Sequence, residues 1–122
     1  MATPFTATLE TGRLDADFSR IDIEFLGVDH AGSSYEARVY LNNPAADAST
    51  GRSAAAGYAG SYYIFGHGGC LGAAGHCDVR PRRTFDPRPG HHLTGARKVV
   101  IAAERVAQKA LAAGEQVTVT VV

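Results

Sequence analysis

Alternation of apolar and polar residues recurs in short segments of the chain, and it restricts the fold more than any other sequence feature. In the clearest case, segment 35–41, every second residue is apolar: Tyr35, Ala37, Val39 and Leu41. Successive side chains of a strand point to opposite faces, so a period of two predicts a strand with one buried face. Alternation or a β-prone composition predicts four further strands, at 5–9, 21–25, 58–65 and 116–122.

A single helix is predicted over 96–112, with Thr94 as its N-cap and Gly114 as its stop. Its apolar face would consist of Val99, Ala102, Ala103, Val106 and Ala110. Parallel strands would need crossover helices, whereas the links between the first four strands are short or irregular, so antiparallel pairing is favoured. We therefore expect one mainly β (α+β) domain over 1–122, an antiparallel β-sandwich or barrel-like sheet with one helix in the C-terminal half.

Composition excludes several classes of function. The chain has 12 Lys and Arg against 12 Asp and Glu, so it offers no net positive charge to nucleic acid or anionic lipid. No apolar run reaches the roughly 20 residues that cross a bilayer. The first residues, Met1 to Phe5, lack the basic and apolar regions of a signal peptide, so we expect a cytoplasmic protein with no nucleic-acid or membrane partner.

Two segments between the predicted strands have no regular period. Residues 45–57 are small and polar, and they predict a mobile surface loop. Residues 66–94 are rich in Gly, Pro and Arg and form a longer irregular segment, where functional residues are often found. Its basic side chains could grip an acidic surface or pair with Asp78 and Asp86: Arg80, Arg82, Arg83 and Arg88.

The segment 66–78 holds both cysteines of the chain together with two histidines. Two thiolates and two imidazoles suit tetrahedral Zn²⁺ or Cu(I), which gives a candidate metal site made of His67, Cys70, His76 and Cys77. The spacing is not that of a zinc finger. A disulfide between Cys70 and Cys77 is the first alternative, and two thiols with neither role are the second.

Catalysis by the chain alone is not expected. The sequence has no Gly-x-Ser-x-Gly nucleophile elbow, no P-loop and no dinucleotide fingerprint. No His and Asp pair stands in a pattern that would assign a base to either cysteine.

The order of several motifs resembles the C-terminal domain of tyrosinases and plant polyphenol oxidases. The motifs are Tyr35-Glu36-Ala37-Arg38-Val39-Tyr40-Leu41-Asn42-Asn43-Pro44, then Tyr58-Ala59-Gly60-Ser61-Tyr62 with Gly66-His67, then a helix, then Val117-Thr118-Val119-Thr120-Val121-Val122. The resemblance covers about residues 35 to 122. It implies a free-standing relative or an excised domain.

The resemblance implies a noncatalytic β-sandwich or barrel-like module that packs over a dicopper domain and shields its active site. The copper-binding histidines of that family belong to a separate helical domain, so no oxidase chemistry is carried over. A tyrosinase-like dicopper protein is the implied partner, and the aromatic residues expected to dock on it are Tyr58, Tyr62, Tyr63 and Phe65. The alternative is a protein that holds Cu(I) or structural Zn²⁺ at the four-residue site, and some tyrosinase-like proteins use such cysteines to pass on copper.

Overall fold

A computed structural model describes residues 3–12, 18–68, 72–79, 81, 83–88, 91 and 93–122. Its elements follow one another as six strands and one helix: β1 (Phe5–Glu10), β2 (Asp22–Val28), β3 (Tyr35–Leu41), β4 (Tyr58–Ile64), β5 (Ala96–Ile101), α1 (Glu104–Ala112) and β6 (Gln116–Val121). All five strands predicted from the sequence are present within a few residues of their expected bounds. β5 is the strand that the sequence reading missed.

The fold class is confirmed as mainly β with one helix. The six strands form two antiparallel sheets, one of four strands in the order β1-β6-β3-β4 and one of two strands, β2 and β5. β6 runs antiparallel to both neighbours, with Phe5 opposite Val121 on one side and Val39 opposite Val121 on the other. The described residues form no closed barrel.

The predicted helix over 96–112 is present only over its second part, Glu104–Ala112. Residues 96–101 form β5, and α1 begins at Glu104 after Ala103, which makes no side-chain cap. Thr94 is therefore not the N-cap. Val99, Val100 and Ile101 are consecutive β-branched residues, which lose side-chain freedom in a helix and fit a pleated sheet. Within α1 the predicted apolar face is present, since Val106 and Ala110 are buried.

The chain divides into two compact units, and most of the large buried side chains belong to the first. This first unit comprises Met1–Ile23, Glu36–Tyr62 and Val99–Val122, and the second comprises Glu24–Tyr35 and Tyr63–Lys98. The core of the first unit combines strand and helix residues: Ala37, Val39, Tyr40, Leu41, Val100, Val106, Ala107, Ala110, Leu111, Val117 and Val119. Among the described residues of the second unit, Ile64 alone is a buried large apolar side chain.

The loop predicted to be mobile is held to β3 by hydrogen bonds. The Arg38 guanidinium donates to the carbonyl oxygens of Ala48 and Thr50, each at 3.1 Å. The Tyr40 hydroxyl donates to the same Thr50 oxygen at 3.0 Å. Asp47 accepts the Ser49 amide at 2.8 Å and so fixes the turn itself. Small polar residues therefore form an ordered cover here, because two long side chains of β3 satisfy the backbone of the loop.

A charged pair on the first unit provides a pH-dependent contribution to stability. Arg52 binds both carboxylate oxygens of Glu36, with Nη1 to Oε1 at 2.5 Å and Nη2 to Oε2 at 2.8 Å. Hydrogen bonds from Arg52 lower the pKa of Glu36 below its ordinary value, and a hydrogen bond with Ser61 acts in the same direction. Planar, two-pronged pairs of this kind are among the strongest that Arg forms.

We expect the stabilisation from Glu36 to be lost in acid. A carboxyl whose pKa is lower in the folded protein contributes its full effect above the unfolded pKa, about 4.3 for Glu, and loses it as the pH falls through the folded pKa. Glu36→Gln should therefore melt at a lower temperature than the parent at pH 7, and the difference in melting temperature should be smaller at pH 3. Thermal melting of both proteins at the two pH values measures this, and an equal difference at both would contradict it.

Candidate partner-binding site

The second half of β4 and the residue after it display aromatic side chains. Tyr63 is 64% exposed and Phe65 is 88% exposed, whereas Ile64 between them is buried. Residues two apart in an extended chain share a face, so Tyr63 and Phe65 point the same way. They are the two predicted docking residues whose side chains are mostly exposed, and both belong to the second unit.

The other two predicted docking residues do not have the expected exposure. Tyr62 is only 9% exposed, so the prediction that it docks on a partner is corrected. The reason is the period of the strand: adjacent aromatic residues in a strand face opposite sides and cannot all be displayed. Tyr58 is half-buried, its ring lies edge-on to that of Tyr40 at 5.6 Å, and its hydroxyl is 2.7 Å from Ser61 Oγ.

The segment that follows Phe65 is fixed by backbone contacts within the second unit. The Gly66 amide donates to Ser34 Oγ at 3.0 Å, the His67 amide to the His30 oxygen at 2.9 Å, and the Gly68 amide to the Gly32 oxygen at 2.8 Å. A Cβ atom at Gly66 would lie 2.1 Å from the Gly32 oxygen, so only glycine allows this approach. These contacts fix the backbone directly after Phe65.

The four described histidines of the second unit form two pairs. The rings of His30 and His67 are 4.8 Å apart, and His30 Nε2 donates to the Thr94 oxygen at 2.6 Å. The rings of His76 and His91 are 6.3 Å apart, and His91 Nε2 donates to the His76 oxygen at 2.6 Å. Because His91 Nδ1 accepts the Leu93 amide at 3.0 Å, both ring nitrogens of His91 are already used.

The described residues of the candidate metal site do not come together as a metal-binding group. Cys77 forms a disulfide, which is the first of the alternatives left open by the sequence. The chain has one other cysteine, Cys70, which lies outside the described residues. Within the described part of the chain, no three His, Cys, Asp or Glu side chains are placed to hold a metal ion. A sulfur in a disulfide is no longer a thiolate ligand, so the prediction for His67, Cys70, His76 and Cys77 would concern the reduced protein.

Sequence reasoning missed further exposed apolar residues of the second unit. They are Leu26, Tyr35, Val79 and Phe85, and the exposure of Tyr35 corrects its predicted place on the buried face of 35–41. Phe85 is almost wholly exposed, and its φ of 61° is a conformation that bulky residues rarely adopt. No periodicity in the sequence indicates this exposure, which depends on the turn closed by the Asp86 amide donating to the Arg83 oxygen at 3.2 Å.

The charged groups of this turn are partly paired. Arg88 binds Asp86 at 2.6 Å, which confirms one of the two predicted roles for the arginines of this segment. The same pairing raises the pKa of Arg88, so this side chain stays charged. Arg80 and Arg82 lie outside the described residues.

The hydroxyl of Tyr35, on β3, stays protonated because burial raises its pKa, with Asp29 acting in the same direction. It donates to the backbone carbonyl oxygen of Asp29 at 2.9 Å.

No protein-family model, curated protein or solved structure matches this chain. The described helix is too short and too polar to cross a membrane. By its fold, the chain is a mainly β protein with one short helix.

Proposed function

We propose that this chain is a noncatalytic accessory domain that binds another protein through the aromatic residues displayed at the end of β4. The observation that carries the proposal is the exposure of Tyr63 and Phe65 on one face of an extended segment. Exposed aromatic residues are costly in water and are enriched where proteins meet. The backbone contacts of Gly66, His67 and Gly68 support the proposal, because a fixed display loses little conformational freedom on binding.

The partner we propose is a tyrosinase-like dicopper protein, whose active site the domain would shield. This part of the proposal is supported by the resemblance of the motifs at 35–44, 58–67 and 117–122 to the C-terminal domain of tyrosinases and polyphenol oxidases. An apolar side chain suits the entrance of a site that accepts phenols. Phe65 and Tyr63 are the residues we assign to that contact.

Replacement of both displayed residues tests the proposal. The variant Tyr63→Ala/Phe65→Ala is expected to bind the cognate dicopper enzyme about 30-fold more weakly than the parent, since truncation of a central aromatic anchor typically costs about 2 kcal/mol. Isothermal titration calorimetry gives the affinities. Addition of the parent chain should slow phenol oxidation by that enzyme, and the double variant should slow it much less.

A control variant removes an exposed apolar side chain from the first unit instead of the second. Ile101 is exposed on β5, and Ile101→Ala should leave the affinity within about twofold. Failure of the parent chain to bind the enzyme at about 10 µM would overturn the choice of partner. Equal affinities for the parent and the double variant would overturn the choice of surface.

A further inference from the structure

β1 is an edge strand that nothing in the described part of the chain covers. In the sheet order β1-β6-β3-β4 it has one neighbour, β6. Five of its six residues are exposed, among them Phe5 at 66% and Leu9 at 47%. An open edge carries unpaired backbone donors and acceptors, which another strand can satisfy.

The ladders of β6 show which backbone groups of β1 are free. Arg38 and Val122 exchange both amide-to-carbonyl bonds, at 3.0 and 2.9 Å, and the Asn42 amide donates to the Thr118 oxygen at 2.8 Å. Even-numbered residues of β6 therefore bond to β3, and its odd-numbered residues bond to β1, since hydrogen-bonded positions alternate in an antiparallel ladder.

The register between β1 and β6 extends this alternation to the edge. Phe5, Ala7 and Leu9 lie opposite Val121, Val119 and Val117, so these three residues of β1 bond inward. The amides and carbonyls of Thr6, Thr8 and Glu10 consequently point away from the sheet. Within the described part of the chain these groups are unpaired, and their spacing is the one that an antiparallel partner strand requires.

The residue pattern of β1 is complementary to itself. If two copies meet antiparallel with Ala7 opposite Ala7, each Phe5 lies opposite Leu9 of the other copy and each Thr6 lies opposite Thr8. All apolar residues then pair on one face, and Thr6 and Thr8 occupy the hydrogen-bonded positions. Cross-strand pairs of this kind are the unit that stabilises a sheet.

β1 has few of the features that usually prevent an edge strand from pairing with another chain. It contains no lysine and no proline, and its one charged residue, Glu10, already accepts a hydrogen bond from Gln116. Pro4 has no amide hydrogen and lies just before the strand, so it would limit pairing to the residues that follow it.

We propose that two copies of this chain associate through β1, which joins their four-stranded sheets across a two-fold axis at Ala7. The contact between two six-residue strands is small beside the roughly 1,000 Å² that a stable interface buries. The dimer is therefore reversible, with a dissociation constant on the order of 10–100 µM. This inference rests on the first unit and does not depend on the proposed function.

Sedimentation equilibrium of the full chain between about 5 and 500 µM tests the dimer. The parent should shift from monomer to dimer over this range. Thr8→Pro removes one outward amide without touching the bonds to β6, and it should raise the dissociation constant at least tenfold. Thr8→Ala keeps that amide and should dimerise like the parent. A parent that stays monomeric, or equal association of the two variants, would overturn the proposal.

Charged substitutions in β1 test the register of the proposed strand pair without introducing proline. Phe5→Glu alone and Leu9→Lys alone each place a charge opposite an apolar residue and should weaken the dimer at least tenfold. The double variant Phe5→Glu/Leu9→Lys places Glu opposite Lys in both symmetric pairs and should restore the dimer. Weak association of the double variant, with melting temperatures like the parent, would show that β1 does not pair about Ala7.

Discussion

Tyr40→Ala is expected to lower the free energy of unfolding by about 3–5 kcal/mol, the loss typical of a large aromatic side chain removed from a core. Tyr40 is fully buried on β3, between the ring of Tyr58 and the loop that covers this side of the strand. Its removal leaves a cavity and also frees the Thr50 oxygen, which accepts the Tyr40 hydroxyl. Urea denaturation followed by circular dichroism measures the change.

Two companion variants separate the causes of that loss. Tyr40→Phe keeps the ring and deletes only the hydroxyl, so about 1–2 kcal/mol should be lost. Arg38 still donates to the Thr50 oxygen in that variant, which limits the cost. Tyr63→Ala removes the same side chain from an exposed position and should cost less than about 1 kcal/mol. A loss below 1 kcal/mol for Tyr40→Ala would show that β3 is not the centre of the core.

Gly57→Ala is expected to cost about 2–4 kcal/mol, the sum of backbone strain and overpacking. Gly57 has a φ of 81°, and a Cβ atom there would lie 2.4 Å from the backbone oxygen of Leu41. The Gly57 oxygen also accepts the Leu41 amide at 2.9 Å, so the two backbones cannot simply separate. The loop would have to leave β3 to make room.

Gly51→Ala is the matched control for this prediction. Gly51 lies in the same loop, and a Cβ atom there would meet nothing within 4 Å. Its substitution should change stability by less than about 0.5 kcal/mol in either direction. Differential scanning fluorimetry of the two variants beside the parent is sufficient. Equal melting temperatures for Gly51→Ala and Gly57→Ala would contradict the close approach of Gly57 to β3.

Strands with a strict period of two could be predicted from the sequence because alternation is typical of a strand, although Tyr40 and Thr120 show that the second face is buried as well. This applies to 35–41 and to 116–122. The segment 96–101 could not be separated from α1 in this way. Val99, Ala102 and Val106 have helical spacing by chance, and the β-branched run from Val99 to Ile101 was the better indicator.

The candidate site was predictable only in part. Tyr63 and Phe65 follow from composition, but which of the neighbouring aromatic residues is displayed depends on strand phase, and Tyr62 proved to face inward. The disulfide of Cys77 was one of three alternatives, since spacing alone does not choose between a disulfide and a metal. Phe85 could not be assigned, because the segment around it has no period and its exposure depends on the turn at Arg83 to Asp86.

Few of the described side chains of the second unit are buried, so its exposed apolar residues contribute little to the stability of the fold. Main-chain hydrogen bonds at Gly66 to Gly68 and the disulfide of Cys77 hold its backbone, whereas six of its described large apolar side chains are exposed: Leu26, Tyr35, Tyr63, Phe65, Val79 and Phe85. Substitutions at Tyr63 or Phe65 therefore change the surface that we propose to bind a partner, while the groups that hold the backbone stay the same. Such a surface can acquire a new partner through a few substitutions at little cost to the fold.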